Sequence, residues 1–442
     1  FALNEATDGL WDWNVRTSEV FFSPQLKRML GYGPDEMDPS LDTWSRNIHP
    51  DDAEKVLISD RDNFYKGPSY DFFRVLVGDG MVTNEGEMWR ARRRVAQPSF
   101  NKGTVTALAG KMTAATEVML ASWAPKLQVG TEFDIYEELL ALTMWIIGDT
   151  LFSLDLRGSI DKSAEAFTVA LDELSARGNE LVRVPMSWPT PGNRKLKQAL
   201  QTLDDTVYGI VRGRRKSGER PDDLLSALLA GHDEHGQPLD DKALRDEVIT
   251  FFLAGHETTA LALSWAFVLL GRRPGAWARL GAELDAVLGD RPASAADLGR
   301  LPYTEAVILE TMRLYPPAWS IGREATEPVE IGGVTLATGT QVWMFQWSSH
   351  RDERYFPRPL AFEPERWEGG LLQRLPRCAY FPFGGGPRLC IGNNFAMLEA
   401  VLLLATIARR WRPQVGAGDV PRPQFSITLR PAGGVRATLR GR

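Results

Sequence analysis

The chain has 442 residues, is 43% apolar and 24% charged, and carries a formal net charge of −6. That composition belongs to a globular protein with material for a large core, and the acidic balance excludes nucleic-acid binding driven by bulk charge. Two cysteines, Cys378 and Cys390, exclude a disulfide framework; with no signal peptide at the start, the expectation is a soluble protein of the reducing cytoplasm.

Residues 1 to about 54 differ in pattern from the rest of the chain. "DGLWDWNVRTSEVFFS" alternates as a strand pair would, about a turn-rich centre. "PQLKRMLGY" is a short helical pattern ended by Gly31, and "IHPDDAEKV" has the proline and acids of a helix start. From about residue 85 to 412 apolar residues recur mostly at helical spacing. The clearest cases are "EELLALTMWIIGDTLF", "DKALRDEVITFFLAGHETTALALSWAFVLLGRRP", "GAWARLGAELDAVLG" and "LPYTEAVILETMRLYPP". The most apolar run, Val248 to Leu270, is cut by His256 and Glu257 and so reads as core rather than as a membrane span. "VEIGGVTLATGTQVWMF" reads as strands turning at Gly332 and Gly333, and "FSITLRPAGGVRATLRG" as a final hairpin turning at Gly433 and Gly434. The expected class is α+β, mainly α with small β-sheets.

Four stretches carry chemistry. In "FPFGGGPRLCIGNN", glycines let backbone approach a flat ligand and Arg388 lies near Cys390. A helix starting at the cysteine would favour a thiolate, and a thiolate so placed suits haem iron; an inert loop cysteine is the other reading. "LAGHETTALAL" sets an acid and two hydroxyls inside an apolar helix, where a local opening would seat a small ligand and Glu257 and Thr258 would relay protons; a kinked core helix is the alternative. In "ETMR", Glu310 and Arg313 share a helical face among apolar neighbours, as a surface bridge or a buried, geometry-fixing one. In "EMWRARRRVAQPSF", Trp89 and Arg93 share a face suited to carboxylates, with Arg90, Arg92 and Arg94 on the others; an ordinary charged helix has the same pattern.

In this order, over residues about 56 to 442, these segments resemble the cytochrome P450 haem-thiolate monooxygenases. "FGGGPRLCIG" matches that family's haem loop at Phe383, Gly384, Gly386, Arg388, Cys390 and Gly392. "AGHETT" resembles its oxygen-activation motif and "ETMR" its Glu-x-x-Arg helix. "PERW" resembles the segment whose arginine, Arg366, completes a lock with Glu310 and Arg313. The resemblance implies haem b with Cys390 as its iron ligand, and Trp89, Arg93 and Arg323 on its propionates. It places Ala254 over the distal face and gives Thr258 and Glu257 roles in oxygen activation and proton delivery. It puts Met81, Val82, Leu253, Ala318 and Trp319 against an apolar substrate such as a fatty acid, terpenoid or steroid-like molecule. Insertion of one oxygen atom of O2 then draws electrons from a separate ferredoxin- or flavodoxin-type protein docking near Arg90, Arg92 and Arg94.

The beginning departs from that family. Residues 1–54 resemble the first half of a PAS sensor domain, in "DGLWDWN", "SPQLKRMLGY" and "IHPDD". The implied organisation is a partial PAS-like segment, 1–54, joined to a haem domain, 55–442, that lacks the usual first helix and strands. The segment is expected to patch the substrate-channel side; pairing of two chains through PAS-like edges is the competing arrangement. A haem-based sensor is the alternative function, disfavoured by Glu257 and Thr258, which a sensor does not need.

Overall fold

The computed structural model describes residues 11–14, 19–22, 27, 50–129, 131–155, 160–178, 184–415 and 421–441. Its longer helices are α1 (Gly86–Ala96), α2 (Ala109–Val129), α3 (Ile135–Leu151), α4 (Ile160–Gly178) and α5 (Pro191–Ser217). They continue with α6 (Asp241–Gly271), α7 (Pro274–Val287), α8 (Pro302–Leu314) and α9 (Asn393–Arg410). Capping explains several starts. The side chains of Asp134, Thr190 and Asp240 accept from first-turn N–H groups of α3, α5 and α6, and Pro191, Pro274 and Pro302 need no donor at their first turns.

Helix α6 organises the molecule. Most of its residues are buried, because the run is apolar on nearly every face, and α3, α5, α8 and α9 pack around it. By length and hydropathy it is the one described helix able to cross a bilayer, but it is an interior helix of this fold.

The sheets are small and lie beside the helices. Strands β1 (Trp11–Asn14) and β2 (Glu19–Phe22) form the antiparallel pair expected at the start. The other PAS-like phrases, and any pairing through their edges, lie outside the described residues, apart from the short helix Pro50–Glu54 in "IHPDD". Strand β3 (Phe64–Tyr65) lies on β5 (Ile321–Ala325), which pairs with β8 (Gln341–Met344). Strands β6 (Val329–Ile331) and β7 (Val334–Leu336) turn at Gly332 and Gly333, as read from the sequence. The end of the chain is not a hairpin. β11 (Leu429–Pro431) pairs back to β10 (Pro423–Phe425), and β12 (Arg436–Gly441) pairs with β9 (Trp411–Val415) and β4 (Phe133–Asp134). The turn glycines separate two sheets because the edges of β4 and β9 capture β12.

Residues just before β3 are integral to this frame. Ala53, Val56 and Leu57 are buried with Phe64, Ala325 and Met344 in one apolar cluster. The same segment covers the glycine-rich loop. Gly386 has φ +63°, and a Cβ there would meet the Leu57 carbonyl oxygen at 2.0 Å, so only glycine fits.

Candidate functional site: a cysteine-based cofactor cavity

A cavity of about 350 Å³ lies between α6 and the glycine-rich loop. The cysteine stands just outside α9, which begins at Asn393 and not at Cys390 as the sequence suggested. The Cys390 N–H donates to the Phe383 carbonyl at 2.9 Å, which ties the cysteine back into the loop before α9. Cys390 is exposed, and its free surface opens on this cavity within the surrounding protein. Burial raises its pKa, against the pull of the Gly392 N–H and the Arg93 guanidinium.

Cations gather along one wall. Trp89, Arg93, Arg323 and Arg388 all line the cavity. Arg388 stacks on Trp89 with its guanidinium 3.9 Å from the ring centroid, bonds the Asn84 carbonyl at 3.0 Å and pairs with Glu85. Burial, with Arg323 and Arg93 nearby, lowers its pKa to about 10 although Glu85 opposes this. Arg93 donates to the Leu389 carbonyl at 2.8 Å, beside the cysteine. Lys66 joins them and was not foreseen. It lies buried on the same wall, donates to the Val82 carbonyl, and is held well below its usual pKa by burial and by Arg388 and Arg323. Like charges converging on one wall, with Glu85 set among them, suit an anionic group.

The α6 stretch "AGHETT" faces the opposite side. The helix runs unbroken through it, so the local opening expected from the sequence is absent. Small residues make the room instead: Ala254 and Gly255 line the cavity, and a Cβ on Gly255 would stand 2.5 Å from Ile147. Thr258 lines the cavity and donates its hydroxyl to the Ala254 carbonyl at 2.7 Å. Glu257 points elsewhere. Its carboxylate is buried, takes the Arg430 Nε at 2.6 Å and accepts the Tyr136 hydroxyl at 3.4 Å, and it is absent from the cavity lining. Arg430, which also pairs with Asp172, is raised in pKa by these acids against the effect of burial. Tyr136 is raised by burial and by Glu257.

Met81, Val82 and Ala318 line the cavity, as do Phe383, Gly384 and Gly392. Leu253 and Trp319 do not. Leu253 is on the helix face packed into the apolar core, and Trp319 turns away to donate its indole N–H to the Ser426 carbonyl at 2.7 Å. Of the arginines expected on a docking surface, Arg90 and Arg94 are exposed, with Arg90 paired to Glu87. Arg92 is not on that surface: it is 6% exposed and lies close enough to Glu247 of α6 to favour its carboxylate.

Glu310, Arg313 and Arg366 meet behind the cavity. Arg313 forks onto both Glu310 oxygens at 2.9 Å each, and the Arg366 Nε reaches Glu310 at 2.9 Å. Trp367 and the Glu363 N–H also donate to Glu310, and Arg313 caps the carbonyls of His350, Pro359 and Ala361. Every charge is paired, as full burial demands.

The family model described as cytochrome P450 matches residues 46–435. The chain belongs to the cytochrome P450 family. It is 36% identical over 388 residues to cyclooctatin synthase of Streptomyces melanosporofaciens, covering 87% of this chain and 84% of that protein. It is 38% identical over 366 residues to cyclooctat-9-en-7-ol 5-monooxygenase of the same organism, covering 82% and 79%. It is 35% identical over 382 residues to pentalenene oxygenase of Streptomyces avermitilis, covering 86% and 84%. This P450 is a haem-thiolate monooxygenase acting on an apolar small molecule. The match starts at residue 46, within the stretch that reads as PAS-like in sequence.

Proposed function

We propose that this P450 oxygenates a cyclic terpenoid, with haem b held between Cys390 and the cationic wall. The observation that carries this is the division of one cavity into a polar wall and an apolar remainder. Met81, Val82, Ile147, Phe251, Ala262 and Ala318 offer a compact hydrocarbon surface with little to recognise a charged chain end. The names of the terpenoid-modifying relatives support the same substrate class.

The residues present fit the cofactor: a sulfur at one end, and a buried cluster of cations that would take two propionates. Lys66, Trp89, Arg93, Arg323 and Arg388 would hold those carboxylates, and Cys390 would bind iron as thiolate. Bound haem supplies activation of dioxygen at iron. Thr258 then offers a hydroxyl on the α6 wall, able to accept a hydrogen bond while it donates to Ala254. Glu257 stores a carboxylate one residue away, but its path to the cavity opens only when it leaves Arg430. Arg90 and Arg94 remain the exposed cations for a ferredoxin- or flavodoxin-type donor.

The test is the spectrum of the reduced protein under carbon monoxide, followed by titration with terpene hydrocarbons and with fatty acids. A strongly red-shifted Soret band that is lost in Cys390→Ser, with terpenes bound more tightly than fatty acids, is expected. A band at the position of a neutral ligand would refute thiolate ligation by Cys390, and tighter fatty-acid binding would refute the terpenoid assignment.

A further inference from the structure

The cavity wall at Met81 and Val82 belongs to a loop docked on the amino-terminal half of α6. The docking is close. A Cβ on Gly78 would stand 2.2 Å from the Asp246 Oδ1, and one on Gly80 would stand 2.1 Å from the Thr250 Oγ1. Two consecutive carboxylates take the loop's N–H groups: Asp79 donates to Asp246 at 2.9 Å and Met81 donates to Glu247 at 3.3 Å. The two acids are differently held. Asp246 is compensated by Lys242 at 2.7 Å and Arg245 at 2.9 Å. Glu247 is 1% exposed, and its Oε1 has no hydrogen-bond partner among the described residues. The Nε and Nη1 of buried Arg92 are likewise unmatched.

We propose that Glu247 is a positioning residue that seats the Met81–Val82 wall through the Met81 N–H, and that its protonation loosens this wall and changes which apolar ligands fit. The inference rests on the reading of the cavity as the substrate site. Burial pushes Glu247 up to about 7. It outweighs Arg92 from α1 and Lys66 from the segment before the loop, which favour the carboxylate, while Asp246 on the same helix opposes it. Above that pH a carboxylate accepts the Met81 N–H in a charge-assisted bond; below it a neutral acid accepts more weakly. Asp246 holds the Asp79 N–H by a separate bond, so the loop loosens at Met81 without leaving the helix.

The experiment uses the full haem-loaded chain without substrate. Amide exchange of the peptide spanning residues 78–84 is followed from pH 6 to 8.5 and corrected for intrinsic exchange rates. Protection should rise several-fold across this range in the wild type and stay flat in Glu247→Gln. The affinity ratio for a small and a bulky terpene hydrocarbon should vary with pH in the wild type alone. Flat protection in the wild type overturns the proposal without any variant, and so does an unchanged pH profile in Glu247→Gln. A second variant, Arg92→Gln, should move the midpoint upward; no movement refutes the electrostatic control. Loss of the thiolate band would refute the proposed function and leave these exchange profiles readable.

Discussion

Glu399 shows what a single buried group costs this fold. It is fully buried on α9 with no ion pair among the described residues, and the Thr259 hydroxyl is the polar group set against its carboxyl. Burial pushes it up to about 8 from 4.5, with only the Thr259 hydroxyl acting the other way. A folded-state pKa above the unfolded one means that the fold binds the extra proton. Its contribution is fully present below pH 4.5 and is lost as pH rises toward 8. Glu399→Gln removes that dependence. The variant should gain about 1–3 kcal/mol relative to the wild type at pH 8.5 and much less at pH 5, read from denaturant midpoints at the two values. Equal differences at both values would mean that Glu399 is ionised throughout.

At the scale of elements, the Glu257–Arg430 pair ties α6 to the carboxy-terminal strands, beside the bond from the Trp265 indole N–H to the Leu429 carbonyl. It brings together groups 173 residues apart and adds Asp172 of α4 and Tyr136 of α3. Arg430→Met leaves Glu257 buried with Tyr136 as its remaining partner, and should cost about 3–5 kcal/mol. The double variant Glu257→Gln with Arg430→Met should recover part of this in a double-mutant cycle, because the orphaned charge is gone. Additive losses would show that the two side chains act separately. The Glu310 cluster is built on the same principle, but its core pair is local: Glu310 and Arg313 share one turn of α8, so the sequence displays them.

At the scale of the molecule, the segment before β3 covers the glycine-rich loop. Leu57 and Ile58 pack against Gly385 and Gly386, and Asp52 stands close to Gly332. A chain beginning at residue 46 should keep the red-shifted carbon monoxide band. One beginning at residue 60 should lose it along with solubility, because the loop and the Phe64–Met344 cluster are then uncovered. Retention by the shorter chain would mean that the loop holds its shape alone. Asp52, Leu57 and Ile58 make these contacts; the patching of the substrate-channel side expected of residues 1–54 falls largely outside the described residues.

What was legible in the sequence was local. Cys390 and its glycines, the Glu310–Arg313 spacing and the Trp89–Arg93 face each lie within one loop or one to two turns, where backbone geometry dictates neighbours. The unforeseen residues depend on contacts across the chain. No local pattern marks Lys66 among "NFYKGPSY", and none sends Arg430 to Glu257. Helical phase likewise cannot say which face meets which neighbour: Leu253 and Trp319 left the cavity, and Arg92 turned inward. The sequence by itself determined the family and the central helix and singled out Cys390 as the candidate ligand, because those follow from residue type at fixed short spacing. Tertiary structure alone decided which charges face the cavity, which acid is neutralised and which loop rests on α6, because burial and pairing are properties of segments brought together from afar.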